Sequence, residues 1–196
     1  FLKGTIDFRN YHTIREKVVI ASRFYGGMIW AYGNSIVAPY SEQFFIGGAN
    51  SLRGFGIRSI GPGYYKASDT PYSYLERTGD IKLEANLELR FPIAGSFNGA
   101  VFADAGNIWT FRRSQDSQNE WFSNDDSGTD IGSGNFFKQL ATDVGIGIRY
   151  DLGMLVIRFD VGMPIHDPGG DQSSYYNRSG SVFGNLGYHL AVGYPF

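Results

Sequence analysis

From Ile81 to Phe91 apolar and polar residues alternate without a break. Ile81, Leu83, Ala85, Leu87, Leu89 and Phe91 fall on one face; Lys82, Glu84, Asn86, Glu88 and Arg90 fall on the other. Successive side chains of a strand point to opposite faces, so the pattern predicts an extended strand with one apolar and one charged face. A helix would scatter those charges around its circumference. The same alternation, less regular, recurs over residues 2–9, 17–33, 97–110, 137–150, 154–164 and 182–196, which with 80–92 makes seven predicted strands. Several are ten or more residues long. Strands of soluble proteins average about 5–6 residues, whereas a tilted membrane-spanning strand needs about 9–11.

The connections sort by length. Arg9 to Arg15 is a short polar link, and Pro92–Gly95 and Asp151–Gly153 are tight turns. The stretches 34–78, 112–135 and 166–181 are long and polar. Short turns on one rim and long loops on the other are the pattern of a transmembrane barrel, and structureless loops of this length are uncommon in compact soluble domains. In that reading Lys82, Glu84, Glu88, Arg90, Asp104, Arg149, Arg158 and Asp160 line a wet lumen while the apolar faces meet lipid. A soluble sandwich or lipocalin-like carrier would turn the same faces to solvent and core, and alternation alone leaves that choice open.

Composition narrows the classes. The 196 residues include 27 Gly, 16 Phe, 13 Tyr, 3 Trp and no Cys, with a formal charge of −2. Glycine without a G-X-Y period excludes collagen, and this aromatic content excludes a disordered chain. The absence of Cys removes disulfides, thiolate metal sites and thiol nucleophiles. The charge argues against a nucleic-acid partner. No apolar run is long enough for a transmembrane helix.

Chemistry-bearing motifs are sparse. His12, His166 and His189 are scattered, the first two in links, with no HExxH and no G-x-S-x-G elbow. The Asp125–Asp130 stretch lacks the closing Glu of a calcium loop and reads as a solvated loop. Gly145-Ile146-Gly147 lies mid-strand, where lumen-facing glycines admit an inserted loop or ease curvature. No metal, cofactor or catalytic residue is expected, and the chain is not expected to be an enzyme. Trp30, Tyr32, Trp109, Tyr150 and Tyr194 near strand ends suit an interfacial aromatic girdle.

The loop between the second and third strands carries a denser signal. It runs Phe44-Phe45-Ile46-Gly47-Gly48-Ala49-Asn50-Ser51-Leu52-Arg53-Gly54-Phe55, then Gly61-Pro62. Asn86–Pro92 follows it, and then Phe102-Ala103-Asp104-Ala105-Gly106. Together these resemble the outer-membrane assembly and translocation superfamily, which includes the Bam and Tam insertases and the two-partner-secretion transporters. That family's external loop carries an FxxGG stretch, a [VIL]RG[FY] tetrapeptide (here Leu52, Arg53, Gly54 and Phe55) and a GP. Its following strand motif, FxDxG, is matched by Phe102, Asp104 and Gly106. The aromatic ending at Tyr194 and Phe196 is similar to the family's insertion signal, with Pro195 departing from the usual pattern.

The resemblance implies an all-β antiparallel transmembrane barrel of sixteen strands, of which residues 1–196 form roughly the last seven to eight. It also implies periplasmic domains N-terminal to the barrel in the same chain. Seven strands alone leave two edges that lipid cannot hold unpaired. The implied setting is the outer membrane of a Gram-negative bacterium, with outer-membrane lipid and client outer-membrane proteins as partners. The implied function is insertion or translocation of those clients. The alternative is a barrel that anchors or exports a fused enzyme such as a patatin-like lipase. An arginine folded into the lumen on a glycine-flanked loop needs a carboxylate. Glu88 and Asp104 face inward on the next two strands, and in the family the loop arginine pairs with acids at these positions. Arg53 is therefore expected to bind Asp104 with Glu88 close by, either as part of function or as an architectural staple.

Overall fold

Seven strands follow one another in chain order as an antiparallel meander: β1 (Leu2–Arg15), β2 (Val18–Trp30), β3 (Ile81–Ala94), β4 (Phe97–Trp109), β5 (Ala141–Asp151), β6 (Val156–His166) and β7 (Gly187–Val192). A single helical turn, α1 (Phe136–Gln139), precedes β5. The computed structural model describes residues 1–33, 37–65, 77–110, 136–169 and 186–196. The Asp125–Asp130 stretch and residues 182–185 of the last expected strand lie outside the described residues.

The two faces of the sheet are inverted relative to a soluble protein. On β3, Glu84, Asn86 and Glu88 are buried, while Leu87 and Leu89 are exposed. On β5, Asp143 and Arg149 are buried and Ile146 is 63% exposed; on β6, Arg158 and Asp160 are buried and Phe159 is exposed. The charged face of the sheet is the covered, inner one, and the apolar face is the exposed one. A water-soluble sandwich or carrier would bury the apolar set, so those readings fall.

One rim carries the tight turns. Glu16–Lys17 joins β1 to β2, with Lys17 at φ 68, and Gly95 turns β3 into β4 at φ 55. At the β5–β6 turn the Asp151 carboxylate accepts from the Gly153 amide at 2.8 Å. The other rim carries the long connections. The first of these folds back onto the concave face. There Phe44, Ile46, Leu52, Phe55 and Ile60 pack with Ile29, Ile108 and Ala141 into the apolar core. The core thus lies between a loop and one end of the sheet.

Several expectations need correction. Arg9 to Arg15 is strand, not link, and His12 lies within it opposite Ile20. Backbone pairing to β2 needs no apolar side chains and runs past the end of the alternating pattern. Trp109 is fully buried rather than part of a girdle: its indole N–H donates to Gln139 Oε1 at 2.7 Å, and its ring stacks on Phe136. Trp30, Tyr32, Tyr150 and Tyr194 are exposed. The described part of the first long connection adds no strand to the sheet, only a bridge between Phe44 and Gly79. The outer edges of β1 and β7 are therefore open among the described residues.

Candidate functional site

The loop tip is a tight backbone structure. The Gly48 amide donates to the carbonyls of Leu52 (3.2 Å) and Phe55 (3.0 Å), and the Phe55 amide to Leu52 (3.2 Å). Gly47 and Gly48 take φ 101 and 96, where a side chain is strained. Leu52 and Phe55 point into the apolar core, and this leaves Arg53 at the tip aimed at the sheet.

Arg53 is fully buried. Its Nε and Nη2 donate to the two Asp104 oxygens at 2.9 Å each, a planar fork that a lysine could not reproduce. Its Nη1 donates to Glu88, and its amide donates to Asp104 at 3.2 Å. The guanidinium carbon lies 3.6 Å from the centre of the Phe102 ring. Burial works against the charge, but Asp104 and Glu88 outweigh it and hold the Arg53 pKa above its ordinary value. Leu52, Arg53, Gly54, Phe55, Glu88, Phe102 and Asp104 thus meet in one place. Gly106 lies on the same strand, against Ile46 of the loop core. Tyr194 and Phe196 lie apart from it, around Arg90.

The pair belongs to a longer chain of alternating charge. Asp104 binds Arg53, Arg53 binds Glu88, Glu88 binds Arg149, Arg149 binds Asp160, and Asp160 binds Arg158. Arg158 then donates to the Asn50 side chain, which returns the chain to the loop. Three guanidiniums face three carboxylates, so these buried charges compensate one another. On the other flank Ser51 donates to Glu84 at 2.7 Å, and Asn86 donates to the Ser51 carbonyl at 3.0 Å. Arg23 links Glu84 (3.2 Å) to Asp7 (3.0 Å).

Glycines give the loop its seat. A Cβ at Gly162 would lie 2.5 Å from the Arg53 carbonyl, one at Gly187 would lie 2.6 Å from the same oxygen, and one at Gly54 would strike Asp143. Gly145 makes room for the Phe102 ring. Between these bare positions His189 Nε2 meets the Arg53 carbonyl at 2.9 Å, so the loop also touches β7. Sequence reasoning placed Arg149, Arg158 and Asp160 in the lumen but not in the site, and missed Asn50, Ser51, Gly162, Gly187 and His189. For the arginines and Asp160 the signal was their inward phase. For Gly162 and Gly187 the signal was the same inward phase by which Gly145 and Gly147 read as room for an inserted loop; for Asn50 and Ser51 nothing local distinguishes them from turn-forming residues.

The chain has relatives among known proteins. The chain is 28% identical over 180 residues to the outer membrane protein assembly factor BamA of Nitratidesulfovibrio vulgaris, covering 91% of this chain and 19% of that protein. It is 33% identical over 88 residues to BamA of Neisseria meningitidis serogroup B, covering 42% of this chain and 11% of that protein. The chain therefore spans a small part of the length of these relatives. The crystal structure of BamA from Haemophilus ducreyi lacking POTRA domains 1-3 superposes with a TM-score of 0.61 at 23% identity. The match covers 84% of this chain and 32% of that one, and shows a shared fold. The Omp85 superfamily domain matches residues 1–193. The chain belongs to the Omp85 superfamily.

Proposed function

We propose that this chain is barrel sheet of an outer-membrane protein assembly factor, working in the outer membrane of a Gram-negative bacterium to help other β-barrel proteins insert. The observation that carries the reading is the inverted sheet with an arginine-pinned loop on its concave face. Such a sheet is stable only where its apolar side meets lipid, and the loop keeps its charged side covered. The relatives named above are assembly factors, which favours insertion; nothing in the comparisons supports the fused-lipase alternative.

No bond chemistry is required. The outer edge of β7 presents backbone N–H and C=O groups without a strand partner among the described residues. A client strand can add to such an edge by main-chain hydrogen bonding. Among the described residues β7 pairs with β6 from Gly187 to Val192, and Gly187 lies within it and Gly193 beyond it. Glycine weakens a strand, so this edge is easier to remodel than one of bulkier residues. Arg53, Glu88 and Asp104 act as positioning residues: they fix the loop that braces β3, β4 and β7 from inside. Periplasmic domains of the POTRA kind, N-terminal to the barrel, are the partners expected within the full protein.

The test is folding of a urea-denatured outer-membrane barrel into liposomes that carry the full-length protein, followed by its heat-dependent gel shift. Folding should be faster than into empty liposomes, and slower with Arg53→Ala than with the parent. Equal rates with and without the protein would overturn the assignment.

A further inference from the structure

The charge alternation around the loop leaves a carboxyl over. Among the described residues, Glu84, Glu88, Asp104 and Asp160 are buried acids, each with an arginine partner. Asp143 on β5 is as deeply buried, at 1% exposure, yet neither of its oxygens meets a hydrogen-bond donor. A buried carboxylate without a cation or a donor is among the costliest groups a protein can hold.

Every element packed against Asp143 fails to supply that donor. From β4 it faces Asp104, its direct partner in the ladder and itself a carboxylate. From the loop come Arg53 and Gly54. Arg53 has committed Nε and Nη2 to Asp104 and Nη1 to Glu88. Gly54 lies flat on the Asp143 side chain, where a Cβ would come within 2.5 Å of the Asp143 Cβ. From β6 the ladder partner is Pro164, which has no N–H, and beyond it His166 Nδ1 meets the Leu140 carbonyl at 2.7 Å. On β5 itself Arg149 is held by Glu88 and Asp160.

We propose that Asp143 carries a proton while the motif loop is seated and shares it with Asp104, so that seating the loop takes up one proton from water. Arg53, Arg149 and Arg158 already balance Glu88, Asp104 and Asp160. Ionising Asp143 as well would set two negative charges face to face across the ladder with no further cation, and such pairs retain a proton. Protonated, Asp143 is a neutral acid whose O–H donates to Asp104, the carboxylate that grips the Arg53 fork. It is a positioning residue: it acts on the loop through Asp104 and through its contact with Gly54. The seated site then binds one proton more than the site with the loop lifted. Seating is therefore favoured at lower pH and lost as pH rises through the ionisation of Asp143 in the seated site. The inference deepens the proposed function, because it ties the loop that braces the sheet to a proton.

The experiment uses the full-length protein in bilayers. The infrared spectrum of the parent minus that of Asp143→Asn should show, at about pH 7, a protonated-carboxyl C=O stretch that shifts in heavy water. By about pH 10 the band should be gone, since buried carboxyls give up their proton by roughly pH 9. Loop order is read in parallel from the spread of distances between nitroxides at Ile57→Cys, on the exposed side of the loop, and Leu87→Cys on the sheet. In the parent that spread should at least double from the neutral to the alkaline sample. In Asp143→Asn, whose amide donates to Asp104 at either pH, it should stay narrow in both. Asp143→Ser, a smaller neutral donor, takes its place should the amide not fold. No band in the neutral sample would mean an ionised Asp143 and overturn the proton. A parent loop equally ordered in both samples, or a neutral variant that loosens as much as the parent, would overturn the coupling. Client insertion enters neither readout, so the proposed function and this proposal can fail separately.

Discussion

At the scale of residues, the energetics centre on Arg53, which is buried against two carboxylates on two strands. Arg53→Ala and Asp104→Ala should each destabilise the seated loop by about 3–5 kcal/mol if the site is dry, less where water enters, because either leaves a buried charge uncompensated. The double variant should cost less than the sum, by on the order of 1–3 kcal/mol. Urea unfolding of the full protein in detergent, read by loop protease sensitivity, measures this; strict additivity would show the pair to be uncoupled. The glycine seat gives an independent prediction. Gly162→Ala pushes a methyl to 2.5 Å from the Arg53 carbonyl and should unseat the loop at a cost of about 1–3 kcal/mol. Gly4→Ala, with nothing within 4 Å, should change stability by less than about 0.5 kcal/mol. The inward phase of Glu88 and Asp104 could be read from alternation because strand period fixes side-chain direction. The contacts of Asn50, Gly162 and His189 could not, since they depend on where a long loop lands on strands far along the chain.

Among the elements, β3 is the one whose sequence states its structure most fully, with both faces written in strict period. β1 and β7 are the ones the pattern described least well. β1 runs on to Arg15 because ladder hydrogen bonds with β2 continue after the apolar residues stop. β7 ends at Val192 although the alternation continues, because its partner β6 begins at Val156, just after the β5–β6 turn, and Gly193 turns the chain there. Trp109 was misplaced for a related reason: a buried partner for its N–H, Gln139, comes from a helical turn that strand periodicity does not reveal. The outward faces carry their own prediction. Ile146, 63% exposed near the middle of β5, should tolerate Leu, whereas Ile146→Arg should cost about 2–4 kcal/mol in a bilayer. In a sheet facing water the same change would be neutral, so equilibrium unfolding of the two variants in lipid separates the cases.

For the whole molecule, inversion of the sheet is the property from which the rest follows. A concave face carrying buried Arg53, Arg149 and Arg158 against Glu88, Asp104 and Asp160 needs a loop to cover it, and a convex face of Leu, Ile, Val and Phe needs an apolar surround. The absence of Cys from these 196 residues makes that claim directly measurable. Single cysteines placed at Leu87, Leu89, Ile146, Ile148 and Leu190 of the full-length protein in bilayers can each carry a nitroxide. Its collisions with oxygen, which partitions into lipid, are then compared with collisions with a water-soluble nickel chelate. Oxygen should dominate at all five positions. Nickel dominating there would mean that the apolar face meets water, and would contradict the lipid-embedded sheet on which the proposed function stands.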